Sequence, residues 1–219
     1  MRFGVYGGSF DPVHCGHVAV ARAAVEAFGL GWVEMAPTGR QPLKEEAEAA
    51  YYQRLAMVEL ACQGDERLRV CGLDGPQYAS EDGANYTVDL LRRIEAARGS
   101  GGGGEVAQDT ENKGVNGEQA RVFVIVGADS FLSLRKWRDP ERLLRMAEWI
   151  VVSRPGFGLG DLSGLALTAK ELGRVHLLET VHEEVSATEI RRRLKAGESC
   201  EGLLPAGVEA YIREKGLYR

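Results

Sequence analysis

The 219 residues are 44% hydrophobic and 27% charged, the balance of one globular domain with enough apolar material for its own core, so neither disulfides nor a structural metal is needed for stability. Lys and Arg total 27 against 32 Asp and Glu, a formal net charge of −5. That excludes a general nucleic-acid-coating role and leaves room for a small anion held by a few local cations.

In chain order, the apolar run from Arg2 to Tyr6 stops at Gly7-Gly8 and predicts a buried strand. Val18, Ala21, Val25 and Phe28 fall at helical spacing between His17 and Phe28, closed by Gly29. A strand follows from Trp32 to Ala36, then a helix from Tyr51 to Cys62 with Tyr51, Leu55, Val58 and Cys62 on its apolar face. Leu68 to Leu73 predicts a third strand, and Val88, Leu91 and Ile94 mark a helix between Tyr86 and Arg98. Gly99 to Glu118 then holds seven of the 28 glycines without periodicity, the composition of a flexible surface insertion (about 99–120) within a single domain spanning 1–219. Strand signals resume at Val122 to Val126, Trp149 to Ser153 and Val175 to Leu178. Helical ones fall at Pro140 to Met146, near Leu165 to Leu172, at Ala187 to Lys195 and at Ala206 to Lys215.

Alternating strands and helices predict an α/β fold. The expected form is a doubly wound parallel sheet with helices on both faces and a small C-terminal helical part, binding its ligand at the carboxyl ends of the strands. Cys15, Cys62, Cys71 and Cys200 form no CxxC pair, and no apolar run nears the ~20 residues of a membrane span. The opening residues reach Gly, Ser and Asp too early for a signal peptide, so a cytoplasmic protein is expected.

The stretch Gly7-Gly8-Ser9-Phe10-Asp11-Pro12-Val13-His14-Cys15-Gly16-His17 lies between the first strand and the first helix. Its glycines let the backbone approach a ligand, and the following helix N-terminus favours an anion. His14 and His17, three apart, would share a helical face and point toward that anion. A GxGxxG dinucleotide loop does not fit these glycines, which also disfavours a redox NAD-binding enzyme. A metal-binding HxxH pair lacks an evident third ligand. Two structural histidines in a tight turn would leave the rest of the string unexplained.

This string resembles the (H/T)xGH motif of the nucleotidyltransferase superfamily. In its GGSFDPxHxGH form it is most similar to bacterial nicotinate-nucleotide adenylyltransferases. The resemblance extends over nearly the whole chain and implies a Rossmann-like fold. Ser186-Ala187-Thr188-Glu189-Ile190-Arg191 is similar to that family's ISSTEIR segment. Ser186 and Glu189 also read as an S-x-x-E capping box, with Thr188 and Arg191 on one face. Gly127-Ala128-Asp129, Leu134 to Trp137, Asn85 to Asp89 and Arg154-Pro155-Gly156 resemble further segments of the family.

The roles implied are these. Gly7, Gly8, Ser9, Phe10, His14 and His17 would cradle ATP, with His17 nearest the α/β bridge. Gly127 and Asp129 would meet adenosine, while Arg154, Ser186, Thr188 and Arg191 would meet the triphosphate. Lys44 would bridge the two substrates' phosphates, Thr87 would lie near a nicotinate carboxylate, and Trp137 would stack on the pyridine or else be a half-buried core residue. His14, His17, Lys44 and Arg191 form the expected catalytic set. Two positions depart from the family pattern: Leu43 replaces a histidine, and Arg138 stands where an aromatic residue is common.

The implied activity is transfer of the adenylyl group of ATP to nicotinate mononucleotide, with Mg²⁺ accompanying ATP. The implied partners are these two nucleotides, with no nucleic acid and no membrane, and a homo-oligomer stays an open alternative. Nicotinamide mononucleotide is the runner-up acceptor. Phosphopantetheine adenylyl transfer would leave Tyr86, Thr87 and Trp137 unexplained. A catalytically silent nucleotide sensor would need fewer cations.

Overall fold

The computed structural model describes residues 1–43, 45–99, 121–153, 158–179 and 185–219. Six strands, β1 (Arg2–Gly8), β2 (Val33–Pro37), β3 (Leu68–Val70), β4 (Arg121–Gly127), β5 (Glu148–Val152) and β6 (Val175–Leu178), form one sheet in the order β3-β2-β1-β4-β5-β6. Every pairing is parallel. The helices are α1 (Cys15–Phe28), α2 (Tyr51–Cys62), α3 (Thr87–Gly99), α4 (Ala128–Phe131), α5 (Pro140–Met146), α6 (Ala169–Leu172), α7 (Ala187–Ala196) and α8 (Ala206–Lys215). This is the doubly wound α/β architecture expected from the alternation of elements.

The strand period of two divides the apolar residues between two cores. Phe3, Val5, Val122, Val124 and Val151 face one side, where Leu91 and Ile94 of α3 and Leu144 of α5 cover them. Phe123, Ile125 and Ile150 face the other, under Ala21 and Val25 of α1, Val58 of α2, Ile190 of α7 and Val208 and Ile212 of α8. β4 is buried throughout Val122–Val126, as a central parallel strand covered on both faces must be. Gly29 and Gly216 close α1 and α8 with φ of +58° and +61°, a backbone region that costs glycine little.

Several boundaries move. β1 continues through Gly7 and Gly8, because they pair with Ala36 and Pro37 of β2. The chain therefore leaves the sheet only after Gly8 and turns at Asp11–Pro12, later than the glycines suggest. β3 ends at Val70, where its pairing with β2 ends. The helix expected near Leu165–Leu172 contracts to α6, preceded by 3-10 turns over Leu159–Leu165. Thr168 caps α6: its Oγ accepts the Glu171 N–H at 3.3 Å, and Glu171 Oε2 accepts the Thr168 N–H at 2.8 Å. Lys44, Arg154 to Gly156 and the glycine-rich segment beyond Gly99 lie outside the described residues.

Candidate active site

Between β1 and β4 the strand order reverses direction, and an open parallel sheet leaves a crevice at that point. Gly7 and Gly8 end β1 on one side of it; Gly127, exposed, ends β4 on the other. Past Gly8 the chain bends through Phe10, whose φ of +47° is costly for a residue with a side chain. Burial of the Phe10 ring, 1% exposed, offsets the strain. A Cβ on Gly8 would stand 3.3 Å from that ring, so a glycine there lets the turn close. Phe10 thus serves the turn from beneath, with its side chain in the core and only its backbone at the crevice.

His14 is the N-cap of α1 and not a helical residue, with φ −139° and ψ 172°. Its ring nevertheless stacks on that of His17, with centroids 3.7 Å apart and planes at 29°. The expected shared orientation is therefore reached through a cap and its third helical residue. The His14 backbone N–H donates to His17 Nδ1 at 3.2 Å. With Nδ1 accepting, the proton of the neutral His17 ring sits on Nε2, which becomes the N–H donor. Phe10 and Tyr6 hold the same ring edge-on, at 4.9 and 5.9 Å.

His14 differs: it is buried, and its Nδ1 has no hydrogen-bond partner among the described residues. Burial pulls its pKa down to about 4. A pKa depressed on folding gives stability that is present above 6.5 and is lost as pH falls through 4. Asp74, pushed up to about 7 by burial, has the opposite sign: its contribution is present at low pH and fades as pH rises through 7. The wild-type profile sums these two with the lowered carboxyls such as Glu48, Asp65 and Glu189. The stability difference between wild type and His14→Asn isolates the imidazole, and it should shift by about 2–3 kcal/mol against wild type between pH 7 and 4.5. Urea titrations at the two pH values measure it, and a pH-independent difference would refute the burial argument.

Distant segments converge on this turn. From α2, Arg54 donates Nη1–H to Ser9 O at 2.5 Å, Nη2–H to Gly39 O at 3.1 Å and Nε–H to Ala49 O at 3.1 Å. One buried guanidinium thereby ties together the turn after β1, the turn after β2 and the entry to α2. The buried face of α2 is accordingly Tyr51, Arg54, Met57, Val58 and Ala61, rotated from the expected stripe to take in an arginine. A cavity of about 240 Å³ lies beside it, lined by Ser9, Thr38, Gly39, Arg40, Tyr51 and Arg54 among others.

From α7, Arg191 Nη1–H reaches the Asp11 carbonyl at 2.7 Å, and Nε–H reaches Glu48 Oε1 at 3.0 Å. Lys195, one turn on, pairs with the other Glu48 oxygen at 2.8 Å. The two cations together hold the Glu48 carboxyl below the usual carboxylate range. Lys195 joins Arg191 as a cation that sequence reasoning did not single out; their i, i+4 spacing was the available signal. Ser186 caps α7 by accepting the Glu189 N–H at 3.2 Å, and Thr188 is exposed in the first turn. Only this half of the expected capping box forms, because the Glu189 carboxylate pairs with Arg192 and Arg193, each at 2.8 Å.

The remaining candidates lie on the face of the sheet that α3 covers. Thr87 opens α3, and Asn85 just before it accepts the Arg40 N–H at 3.1 Å and donates to Gly75 O at 2.9 Å. Trp137 is half-buried, edge-on to Trp149 at 6.1 Å, with Nε1–H donated to Ser133 Oγ at 3.2 Å. Arg138 lays its guanidinium over the Tyr86 ring at 4.5 Å and donates to Ser80 Oγ at 3.0 Å. Asp129 is exposed in α4, directly after β4.

A helix N-terminus carrying an oriented imidazole, with the Arg191 guanidinium on the same turn at the switch point of a parallel sheet, has the chemistry to bind and polarise phosphates. The model of the cytidylyltransferase-like family matches residues 5–193. A probable nicotinate-nucleotide adenylyltransferase of Desulfatibacillum aliphaticivorans is 32% identical over 240 residues, covering 100% of both chains. One of Rubrobacter xylanophilus is 34% identical, covering 100% of this chain and 92% of its own. The chain therefore belongs to the cytidylyltransferase-like nucleotidyltransferases and, within them, to the nicotinate-nucleotide adenylyltransferase family. The fold is also that of the Plasmodium falciparum nicotinic acid mononucleotide adenylyltransferase solved with NaAD, with a TM-score of 0.71 at 16% identity over 99% of this chain and 97% of that one. Among the described residues no helix is long and apolar enough to cross a membrane, and no disulfide joins the four cysteines.

Proposed function

We propose that the protein transfers the adenylyl group of ATP to nicotinate mononucleotide, forming nicotinate adenine dinucleotide and pyrophosphate, a step of NAD biosynthesis that takes place in the cytoplasm. The observation that carries this reading is the His17 ring, held on three sides with Nδ1 engaged, at a helix N-terminus on the sheet's switch point.

A phosphate oxygen of the mononucleotide attacks the α-phosphorus of ATP. The bond from that phosphorus to the bridging oxygen breaks, and the electron pair leaves with pyrophosphate. The second pKa of a phosphate monoester is near ~6, so the nucleophile is already ionised at neutral pH and needs no general base. What the protein must supply is alignment of two polyanions and stabilisation of charge on the leaving oxygens. His17 donates Nε2–H toward the α/β bridge. Arg191, Ser186, Thr188 and Arg154 meet the β- and γ-phosphates, and Lys44 bridges the two substrates. Gly127 and Asp129 take the adenosine; Thr87 and Trp137 take the nicotinate ring.

Mg²⁺ would enter with ATP and would supply neutralisation of the triphosphate charge. The donors around the turn are imidazole, guanidinium and backbone N–H groups, suited to phosphate oxygens. Asp11, the carboxylate of the turn, is already committed to three donors.

A pyrophosphate-release assay with Mg-ATP and a panel of acceptors tests this reading. Nicotinate mononucleotide is expected to give the highest kcat/KM, ahead of nicotinamide mononucleotide and phosphopantetheine. Release that does not depend on either pyridine mononucleotide would overturn it.

A further inference from the structure

Tyr218 lies beyond α8, over two hundred residues from the turn it contacts. It is buried, and its φ of +60° is a strained conformation held by its surroundings. Its hydroxyl donates to Asp11 Oδ1 at 2.7 Å. The same oxygen accepts the Ala49 N–H at 3.1 Å, and Oδ2 accepts the Glu48 N–H at 2.7 Å. Arg191 Nη1 stands 4.0 Å from Oδ2 but 2.7 Å from the Asp11 carbonyl. The carboxylate is thus turned toward neutral donors, while the guanidinium is held by the main chain of the turn and by Glu48 at the rim.

We infer that Tyr218 is a positioning residue for the triphosphate seat: by holding the Asp11 carboxylate, it keeps Arg191 set on the signature turn and available to phosphate. The inference rests on the adenylyl-transfer reading. Without the hydroxyl, the buried carboxylate keeps two backbone donors but has acceptor capacity left over, and Arg191 Nη1 stands 4.0 Å from Oδ2, close enough to turn toward it. A close pairing there would draw Nη1 off the Asp11 carbonyl and tie the guanidinium to a second fixed carboxylate besides Glu48, leaving it less free to meet a phosphate. Packing alone would not need the hydroxyl, since a phenylalanine ring fills the same space in the core cluster to which Tyr218 belongs.

The test is a double-mutant cycle on binding of a non-hydrolysable ATP analogue with Mg²⁺, by calorimetry, on the full chain. Tyr218→Phe is expected to weaken binding about tenfold in the wild-type background and less than twofold in the Arg191→Ala background, because coupled residues are not additive. Equal losses in both backgrounds, or none in the wild type, would overturn the inference while leaving the functional reading intact. A wild-type protein that does not bind the analogue would overturn both. The NMR signal of the Arg191 Nε–H supplies a second readout at low temperature, where a destabilised variant stays folded. It should move in Tyr218→Phe, and an unmoved signal counts against the inference.

Discussion

His17→Ala is expected to lower kcat by about 10²–10³-fold while the protein stays folded, because loss of one preorganised donor to developing oxyanion charge has that magnitude. The ring is partly exposed and stands against the edges of Phe10 and Tyr6 and the face of His14, so deleting it removes little buried area. The helix also keeps its start, since the His14 carbonyl still accepts the His17 and Val18 N–H groups at 3.0 and 3.3 Å. The effect should fall on kcat more than on the KM for ATP, as expected of a contact that strengthens as the α/β bridge breaks. His17→Asn, which returns a donor on a shorter side chain, should recover part of the loss. Steady-state kinetics with a thermal melt of the same preparations decides it; unchanged turnover in a folded variant would remove His17 from the mechanism.

Arg54→Ala is expected to be the most damaging single change to the fold, at about 3–5 kcal/mol. The guanidinium is 2% exposed and serves three carbonyls from three loops; truncation leaves all of them without that donor. For a chain of this length that corresponds to a fall in melting temperature of roughly 10 °C. Arg54→Lys should not rescue it, because a single ammonium cannot span carbonyls that a planar fork reaches at separate nitrogens. Because Ser9 and Gly39 line the cavity beside Arg54, and Ser9 leads into the turn that carries His14 and His17, activity should fall below what the folded fraction explains. Chemical denaturation and hydrogen exchange at residues 9, 39 and 49 measure both effects. A variant as stable as wild type would show that the loops are held by other contacts.

Much of the site was legible because short-range rules govern it. The string from Gly7 to His17 carries its own turn, cap and donors, and the proposal that it seats a phosphate starts from that local chemistry. Even there, local rules misplace details. Gly7 and Gly8 read as the turn, yet parallel pairing with Ala36 and Pro37 keeps them in β1 and moves the turn to Asp11–Pro12. Ser186-x-x-Glu189 reads as a full capping box, yet Arg192 and Arg193 capture the Glu189 side chain, while the equivalent box at Thr168-x-x-Glu171 forms completely. Both sequences satisfy the pattern; competing charges one turn away decide which closes.

The amino-acid order alone therefore determined the α/β alternation, the two-sided burial of the central strands and the place of the glycine- and histidine-bearing turn between β1 and α1, because hydrophobic period, helix caps and glycine placement act over a few residues. The tertiary structure alone decided that Arg54, Glu48, Arg191, Lys195 and Tyr218 meet around that turn. It also decided that His14 is buried and nearly neutral while the His17 proton is directed to Nε2. Those outcomes depend on which distant groups share one desolvated space, and electrostatics and hydrogen bonding there are set by proximity in the folded chain, not by spacing along it.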